Sequence, residues 1–125
     1  MKVSTTTTIL RSILGLIFLV FGLNHFFGFF PMPPMQGRAA AFISALAASG
    51  YMLALVSGTQ ALAGAMLLAG VLVPLALVIL APIIVNIVAF HVFLEPSGFI
   101  PAAVVAVLEL ILVWQYRAAF APLFR

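Results

Sequence analysis

Four long apolar stretches, separated by short polar or proline-containing segments, make up most of the chain. At 1.5 Å per residue, a helix of roughly 20 apolar residues crosses the hydrocarbon core of a bilayer. The pattern predicts membrane-spanning helices at 9–30, 51–72, 74–94 and 100–117. We therefore expect an all-α, up-and-down bundle of four transmembrane helices that forms a single domain over residues 1–125.

The first apolar stretch follows a short polar leader that contains Lys2 and a run of threonines at 5–8. A cleaved signal peptide is a rival interpretation, but its apolar core is about 7–15 residues long and ends at small residues. Here the stretch is longer and ends in Phe29-Phe30-Pro31. This ending favours a helix that is retained in the protein.

An alanine-rich segment at 39–48 lies between the first two predicted spans. Three prolines between 31 and 34 end the first span, because proline lacks a backbone donor and restricts the residue before it. The segment is too short to cross a membrane, and Ser49-Gly50 follows it. We expect a short interfacial or re-entrant helix here. The alternative is one long tilted helix that continues into the second span.

Composition supports a membrane protein and excludes most soluble classes. Hydrophobic residues make up 66% of the chain and charged residues 6%, whereas a typical soluble domain is about 25% charged. So few charges cannot cover a water-facing surface or form the basic patch that nucleic acid requires. The chain has no cysteine, which removes disulfide, iron–sulfur and cysteine-zinc chemistry from consideration.

The basic residues predict the orientation in the membrane. With four spans, both termini lie on one side, which is flanked by Lys2, Arg11, Arg117 and Arg125, whereas only Arg38 lies on the other. Because Lys and Arg concentrate in cytoplasmic segments, both termini are expected in the cytoplasm. The turn between the second and third spans carries no charge, so this prediction depends on the chain ends.

Small residues are expected at the helix contacts, since helices in lipid associate by close packing rather than by the hydrophobic effect. Ala61, Ala65 and Ala69 recur every four residues, and Gly15 and Gly22 are seven apart and share one face of the first span. These residues fit a tight bundle. Alanine and glycine are also common in membrane helices generally, so the pattern does not assign particular pairs.

Polar side chains within the predicted spans are the candidates for a functional site, because a polar group is costly in hydrocarbon. The six candidates are Asn24, His25, Gln60, Asn86, His91 and Glu109. From the helical rise, each span contributes one polar group at mid-depth or just beyond. This placement predicts a converging interior cluster, with the two histidines near the outer boundary.

Glu109 is the strongest candidate for a functional residue. By the helical rise it lies about 12 Å above Arg117, at a depth where an isolated carboxylate is strongly disfavoured. We expect the carboxyl to be protonated, or paired with Gln60, Asn24, Asn86 or a histidine. A carboxyl that holds helices together and one that carries protons or contacts a ligand both fit the sequence.

Metal sites, cofactor sites and enzymatic sites have less support in the sequence. His25 and His91 are compatible with a metal, a quinone or a haem, but no spacing typical of a metal site is present, and we expect no metal. Histidines bonded to loop carbonyls, and asparagines bonded between helices, are the structural alternatives. The sequence has no catalytic triad, phosphate-binding loop or carboxylate pair, so it indicates a protein that is not an enzyme on its own.

Three parts of the chain carry a family resemblance. The first span contains Asn24-His25, the third contains Pro82-Ile83-Ile84-Val85-Asn86 and then His91, and the chain ends with Trp114, Tyr116-Arg117 and Pro122-Leu123-Phe124. Together these strings resemble the DoxX/DoxX-like family of small bacterial membrane proteins. The resemblance covers nearly the whole chain.

The resemblance implies four transmembrane helices in the bacterial inner membrane and a link to redox systems. The name-giving member is associated with a thiosulfate:quinone oxidoreductase, and other members with oxidative stress. We therefore expect an accessory subunit beside a quinone-linked oxidoreductase, in contact with the bilayer and with a membrane-protein partner or further copies of itself. The alternatives are a binder of a small lipophile such as quinone, and a small transporter or proton pathway centred on Glu109.

The chain departs from the family pattern at two positions. Relatives often carry Glu where Gln60 stands, and a basic residue where Val71 stands. The change at Gln60 argues against a proton-handling role at that position. It leaves Glu109 as the only deep acid.

Overall fold

The architecture is a bundle of four apolar helices, described by a computed structural model over residues 4–125. The elements are α1 (Thr5–Phe27), α2 (Gly37–Ala48), α3 (Met52–Ala69), α4 (Val73–Phe93), α5 (Phe99–Gln115) and α6 (Arg117–Phe120). Short 3-10 turns at Pro96–Gly98 and Ala121–Phe124 precede α5 and follow α6. Because α1, α3, α4 and α5 with its preceding turn are long and apolar enough to cross a membrane, the expected all-α four-helix membrane bundle is confirmed.

α1 begins and ends earlier than the predicted span. The Ser4 hydroxyl accepts a hydrogen bond from the Thr7 N–H at 3.1 Å, so the threonine run is the first turn of the helix and not a leader. At the other end, Gly28 has a φ of 62° and donates its N–H to the Asn24 carbonyl. This left-handed residue ends α1 before the prolines are reached.

α2 is a separate helix, so the alternative of one long tilted helix is wrong. Gly50 lies between α2 and α3 with a φ of 84°, a conformation that favours glycine. The Ser49 hydroxyl accepts hydrogen bonds from the N–H groups of Tyr51 and Met52, at 3.3 and 3.0 Å. These contacts satisfy donors that the first turn of α3 leaves without partners.

α2 is attached to the carboxyl-terminal end of α4. Arg38 donates from Nη2 to the Phe93 carbonyl at 2.9 Å, and Ala39 is fully buried. The Phe42 and Phe90 ring centroids are 5.7 Å apart. α2 therefore covers the end of the bundle opposite to the one where α3 passes into α4.

The turn between α3 and α4 is tight. Gly70, with a φ of 74°, ends α3 earlier than predicted, and Leu72, with a φ of 50°, precedes α4. Pro74 occupies the first turn of α4, where a missing N–H costs no helical hydrogen bond. This geometry makes α3 and α4 antiparallel neighbours.

Every span contributes to the core. α1 packs mainly against α3, and α5 packs against α4 and α1. The largest fully buried side chains are Leu14, Leu67, Leu77, Leu80 and Leu112. Large apolar side chains also cover the outside of the spans, as lipid contact requires; among them are Leu62, Val85, Ile100 and Leu110.

Arginines also cap the ends of α3 and α5. Arg11 donates to the carbonyls of Leu67 and Leu68, the second at 3.3 Å, at the end of α3. Arg117 donates to the Trp114 carbonyl at 2.9 Å, and its guanidinium carbon lies 4.3 Å from the centre of the Trp114 ring. The last carbonyls of a helix have no helical partner and carry partial negative charge. A guanidinium supplies both the missing hydrogen-bond donors and a positive charge.

Candidate functional site

The six candidate side chains differ in burial. Asn24 and Glu109 are buried, Gln60 and His91 are half-buried, and His25 and Asn86 are exposed. Where these side chains form hydrogen bonds, their partners are nearby backbone groups rather than one another. Over residues 4–125, the expected interior cluster is therefore not connected by hydrogen bonds.

Asn24 organises the end of α1. Its Oδ1 accepts a hydrogen bond from the Phe30 N–H at 3.0 Å, and its backbone carbonyl accepts one from Gly28 at 2.8 Å. A buried amide oxygen that binds the following loop fixes the direction in which the chain leaves the helix. Asn24 therefore bonds within its own connection and not to a neighbouring span.

His91 has the same kind of role at the end of α4. Its Nδ1 lies 2.9 Å from the Glu95 carbonyl oxygen, and its ring occupies the space that a Cβ on Gly98 would need. The Glu95 carboxylate accepts a hydrogen bond from the Ser97 hydroxyl at 2.6 Å. These contacts match the expectation of a histidine bonded to a loop carbonyl.

His25 lies beside a small apolar hollow between the end of α1, α2 and the start of α3. The hollow has a volume of about 170 Å³, and Leu46, Tyr51 and Leu53 also line it. Pockets that bury a drug-sized ligand measure roughly 300–1,000 Å³. None of the other five candidates lines this hollow, so it does not collect the polar groups into one site.

Gln60 and Asn86 lie on different helices and face different surroundings. Gln60 is in α3 beside Ala61, whose backbone closely approaches Gly22 of α1. Asn86 is exposed on α4, two residues after the buried Ile84, so it faces away from the core. The two amides therefore do not act on a shared space inside the bundle.

Glu109 is the most unusual of the six. The buried stripe of α5 contains residues spaced three and four apart, namely Ala102, Val105, Glu109 and Leu112, and it continues to Tyr116 directly after the helix; Leu108 is buried beside them. Glu109 thus occupies a core position that elsewhere in the stripe holds an apolar or aromatic residue, and it is only 6% exposed.

Both carboxyl oxygens of Glu109 are buried and have no hydrogen-bond partner among residues 4–125. Of the two alternatives for this carboxyl, pairing with Gln60, Asn24, Asn86 or a histidine is therefore wrong. A protonated carboxyl remains the prediction, because an unpaired carboxylate in an apolar core is strongly disfavoured.

Sequence reasoning missed a polar link between α1 and α5. The Thr7 hydroxyl donates to Oε1 of Gln115 at 2.8 Å, and the Ser4 hydroxyl lies 3.0 Å from that of Thr7. By the helical rise, Gln115 is about 9 Å from Glu109 along α5, and Asn24 is about 25 Å from Thr7 along α1. Glu109 therefore lies in the half of the bundle that contains this link, far from Asn24. The link was missed because the threonine run was interpreted as a leader.

The six candidate side chains supply hydrogen-bonding groups and one buried carboxyl, that of Glu109. In the described part of the chain, no three His, Asp or Glu side chains lie close enough together to hold a metal ion. Comparisons with protein families, with characterised proteins and with solved structures found no match for this chain.

Proposed function

We propose that this chain is a small DoxX-like accessory protein of the bacterial inner membrane that assists a quinone-linked or redox-stress oxidoreductase without catalysing a reaction itself. The observation that carries the proposal is the dispersal of its polar side chains. Catalysis requires groups within reach of the same reacting atom. Asn24, His91 and Glu109 lie on separate helices: the first two bond to different loops, and the Glu109 carboxyl has no hydrogen-bond partner in the described chain. Binding to other membrane proteins requires no such convergence.

Both termini are proposed to lie in the cytoplasm. Arg11 and Arg117 cap helices at one end of the bundle, and Arg38 caps α4 at the other. The excess of basic residues on the side of the termini supports this orientation. An enzyme reporter fused after Arg125 should show cytoplasmic activity, and periplasmic activity would overturn the topology.

The accessory role is tested by deletion and complementation in the source bacterium. We expect isolated membranes without the protein to lose donor-dependent quinone reduction, with thiosulfate as the first donor to try. The wild-type chain and Glu109→Gln should both restore the rate, because the role depends on the surface of the bundle. Unchanged quinone reduction after deletion, across the donors that the membranes oxidise, contradicts the proposal.

A second candidate is a proton pathway through Glu109, favoured by the unpartnered carboxyl. The link of Ser4, Thr7 and Gln115 lies between Glu109 and one end of the bundle. An intramembrane carboxyl that accepts and releases a proton is a common element of proton relays. In proteoliposomes with a pH-sensitive dye, this candidate requires faster proton uptake with the wild type than with Glu109→Gln. Equal rates exclude it.

A third candidate function is binding of a small lipophile such as quinone. Only the hollow beside His25 favours it. Mass spectrometry of the lipids that co-purify with the protein tests it. An accessory protein should carry no stoichiometric quinone, whereas a binder should carry about one per chain.

A further inference from the structure

The outward face of α4 contains a polar side chain that the bundle leaves exposed. The core face of α4 is formed by Leu77, Leu80 and Ile84, all buried. At 100° per residue, Asn86 lies about 160° around the helix from Ile84. Asn86 is exposed, as is the neighbouring Val85, whose exposed fraction is 68%.

Asn86 lies well within the span. By the helical rise it is about 20 Å from Val73 and about 10 Å from Phe93, the two ends of α4. An amide has two N–H donors and a carbonyl acceptor, and exposing them to hydrocarbon is costly. The spans that pack against α4 are α3 and α5, and the core face of α4 lies on the side of the helix opposite to Asn86. A partner for the Asn86 amide must therefore come from outside this bundle.

The residues around Asn86 form a regular stripe. Along the outward face, residues seven, four, three and four apart follow one another: Leu75, Pro82, Asn86, Ala89 and Phe93, of which Ala89 is half-buried and the others are exposed. This is the heptad spacing by which two helices pack along a left-handed seam. The small Ala89 side chain, next to Asn86 on the stripe, permits close approach of a second helix.

A second copy of this chain can supply the hydrogen-bond partner that the Asn86 amide lacks, and no other protein is needed. Copies inserted in the same orientation hold Asn86 at the same depth, and a two-fold axis along the membrane normal brings the two amides together. Each amide can donate to the other and accept from it. A single asparagine on a heptad seam is also the feature that fixes the register and the number of helices.

We propose that α4 pairs with α4 of a second copy in a parallel, two-fold dimer, with the Asn86 amides hydrogen-bonded to each other across the seam. The dimer does not depend on the proposed accessory function. Its test uses the isolated chain in bilayers, without any oxidoreductase.

Cysteine cross-linking tests the seam directly, because the chain contains no cysteine. Ala89→Cys, reconstituted in lipid vesicles and oxidised with copper phenanthroline, should give a disulfide-linked species of twice the 13.3 kDa chain mass. Val104→Cys is the matched control, because Val104 is 48% exposed on α5, within two turns of the same end of the bundle. It should cross-link only at the level of random collisions. Equal yields from the two variants overturn the proposal.

A second substitution in the Ala89→Cys background isolates the contribution of the amide. Adding Asn86→Leu should weaken the dimer by about three- to fifteenfold, measured as the change in cross-linking yield on lipid dilution. Adding Asn86→Gln, which retains an amide, should weaken it less. Thermal unfolding of each variant checks that the fold is intact. If the dilution curves of the intact Asn86→Leu variant and its parent coincide, the amide does not join the two copies.

Discussion

Residues are buried in opposite ways in two regions: the interface between α1 and α3, and the buried stripe of α5. Between α1 and α3, glycines remove side chains so that the backbones touch. On α5, side chains fill the space, and one of them is a carboxyl without a partner. Adding a Cβ to a glycine between α1 and α3 should therefore lower the free energy of unfolding. Replacing the polar carboxyl on α5 with an apolar group should raise it. The two regions differ in what they tolerate, although both are buried.

The α1–α3 contact depends on three glycines. A Cβ on Gly22 would lie 2.6 Å from the Ala61 nitrogen, and one on Gly15 would lie 2.7 Å from the Gly64 carbonyl oxygen. One on Gly64 would lie 2.5 Å from the Leu19 nitrogen. Since the obstacles are backbone atoms, a rotamer change cannot relieve the contacts. The helices would have to separate.

The largest expected effect comes from Gly64→Ala. Because the new methyl group forces α1 and α3 apart, we expect it to lower the free energy of unfolding by about 2–3 kcal/mol. Reversible unfolding in mixed micelles measures the change. The control is Gly58→Ala on the same helix, where a Cβ would lie 4.0 Å from the Phe26 ring and clash with nothing. Its expected effect is a gain of up to about 1 kcal/mol from helix propensity. Equal losses from the two variants would contradict the account of the interface.

The next effect has the opposite sign and comes from Glu109→Leu. Removing a buried polar group that has no partner should raise the free energy of unfolding by about 1–3 kcal/mol in the same assay. Glu109→Gln keeps a polar group of the same size and should change stability little. Severe unfolding of Glu109→Gln would indicate that the carboxyl is charged and paired. A loss of stability in Glu109→Leu would show that the carboxyl supports the fold.

The smallest of the three effects is expected from Arg11→Met. The substitution keeps the apolar stem but removes the donor to the Leu67 carbonyl, and it should cost about 1 kcal/mol. Arg125→Met is the control, since Arg125 lies beyond α6 and is exposed. The loss should appear as fraying of the end of α3, measured by amide hydrogen exchange at Ala69 and Gly70. Unchanged exchange at these amides would show that the cap does not stabilise α3.

The sequence predicted the spans because hydrophobic runs and the helical rise depend only on residue order. It also placed Gly15 and Gly22 on one face, which the structure confirms. Their partner on α3 could not be predicted, because Gly64 is one small residue among many in the spans. The choice depends on which helices become neighbours, and this information is not local.

The interior cluster was predicted from depth alone. Depth follows from counting residues, but the direction of a side chain around its helix depends on where the core lies. Asn86 faces away from the core, while Glu109 faces it. Glycines in the left-handed conformation, Gly28 and Gly70, shifted the helix ends as well. A glycine inside an apolar run gives little sign that it will end the helix.

The contact of Arg11 with α3 has a consequence for the order of synthesis. Arg11 leaves the ribosome with α1, and the Leu67 carbonyl to which it donates is 56 residues further along the chain. Until α3 emerges, the guanidinium has only water and lipid head groups as partners. The cap at the end of α3 can therefore form only after both helices have been synthesised. Gly70 leaves room for the guanidinium beside it, because a Cβ at this position would lie 2.8 Å from Nη1 of Arg11.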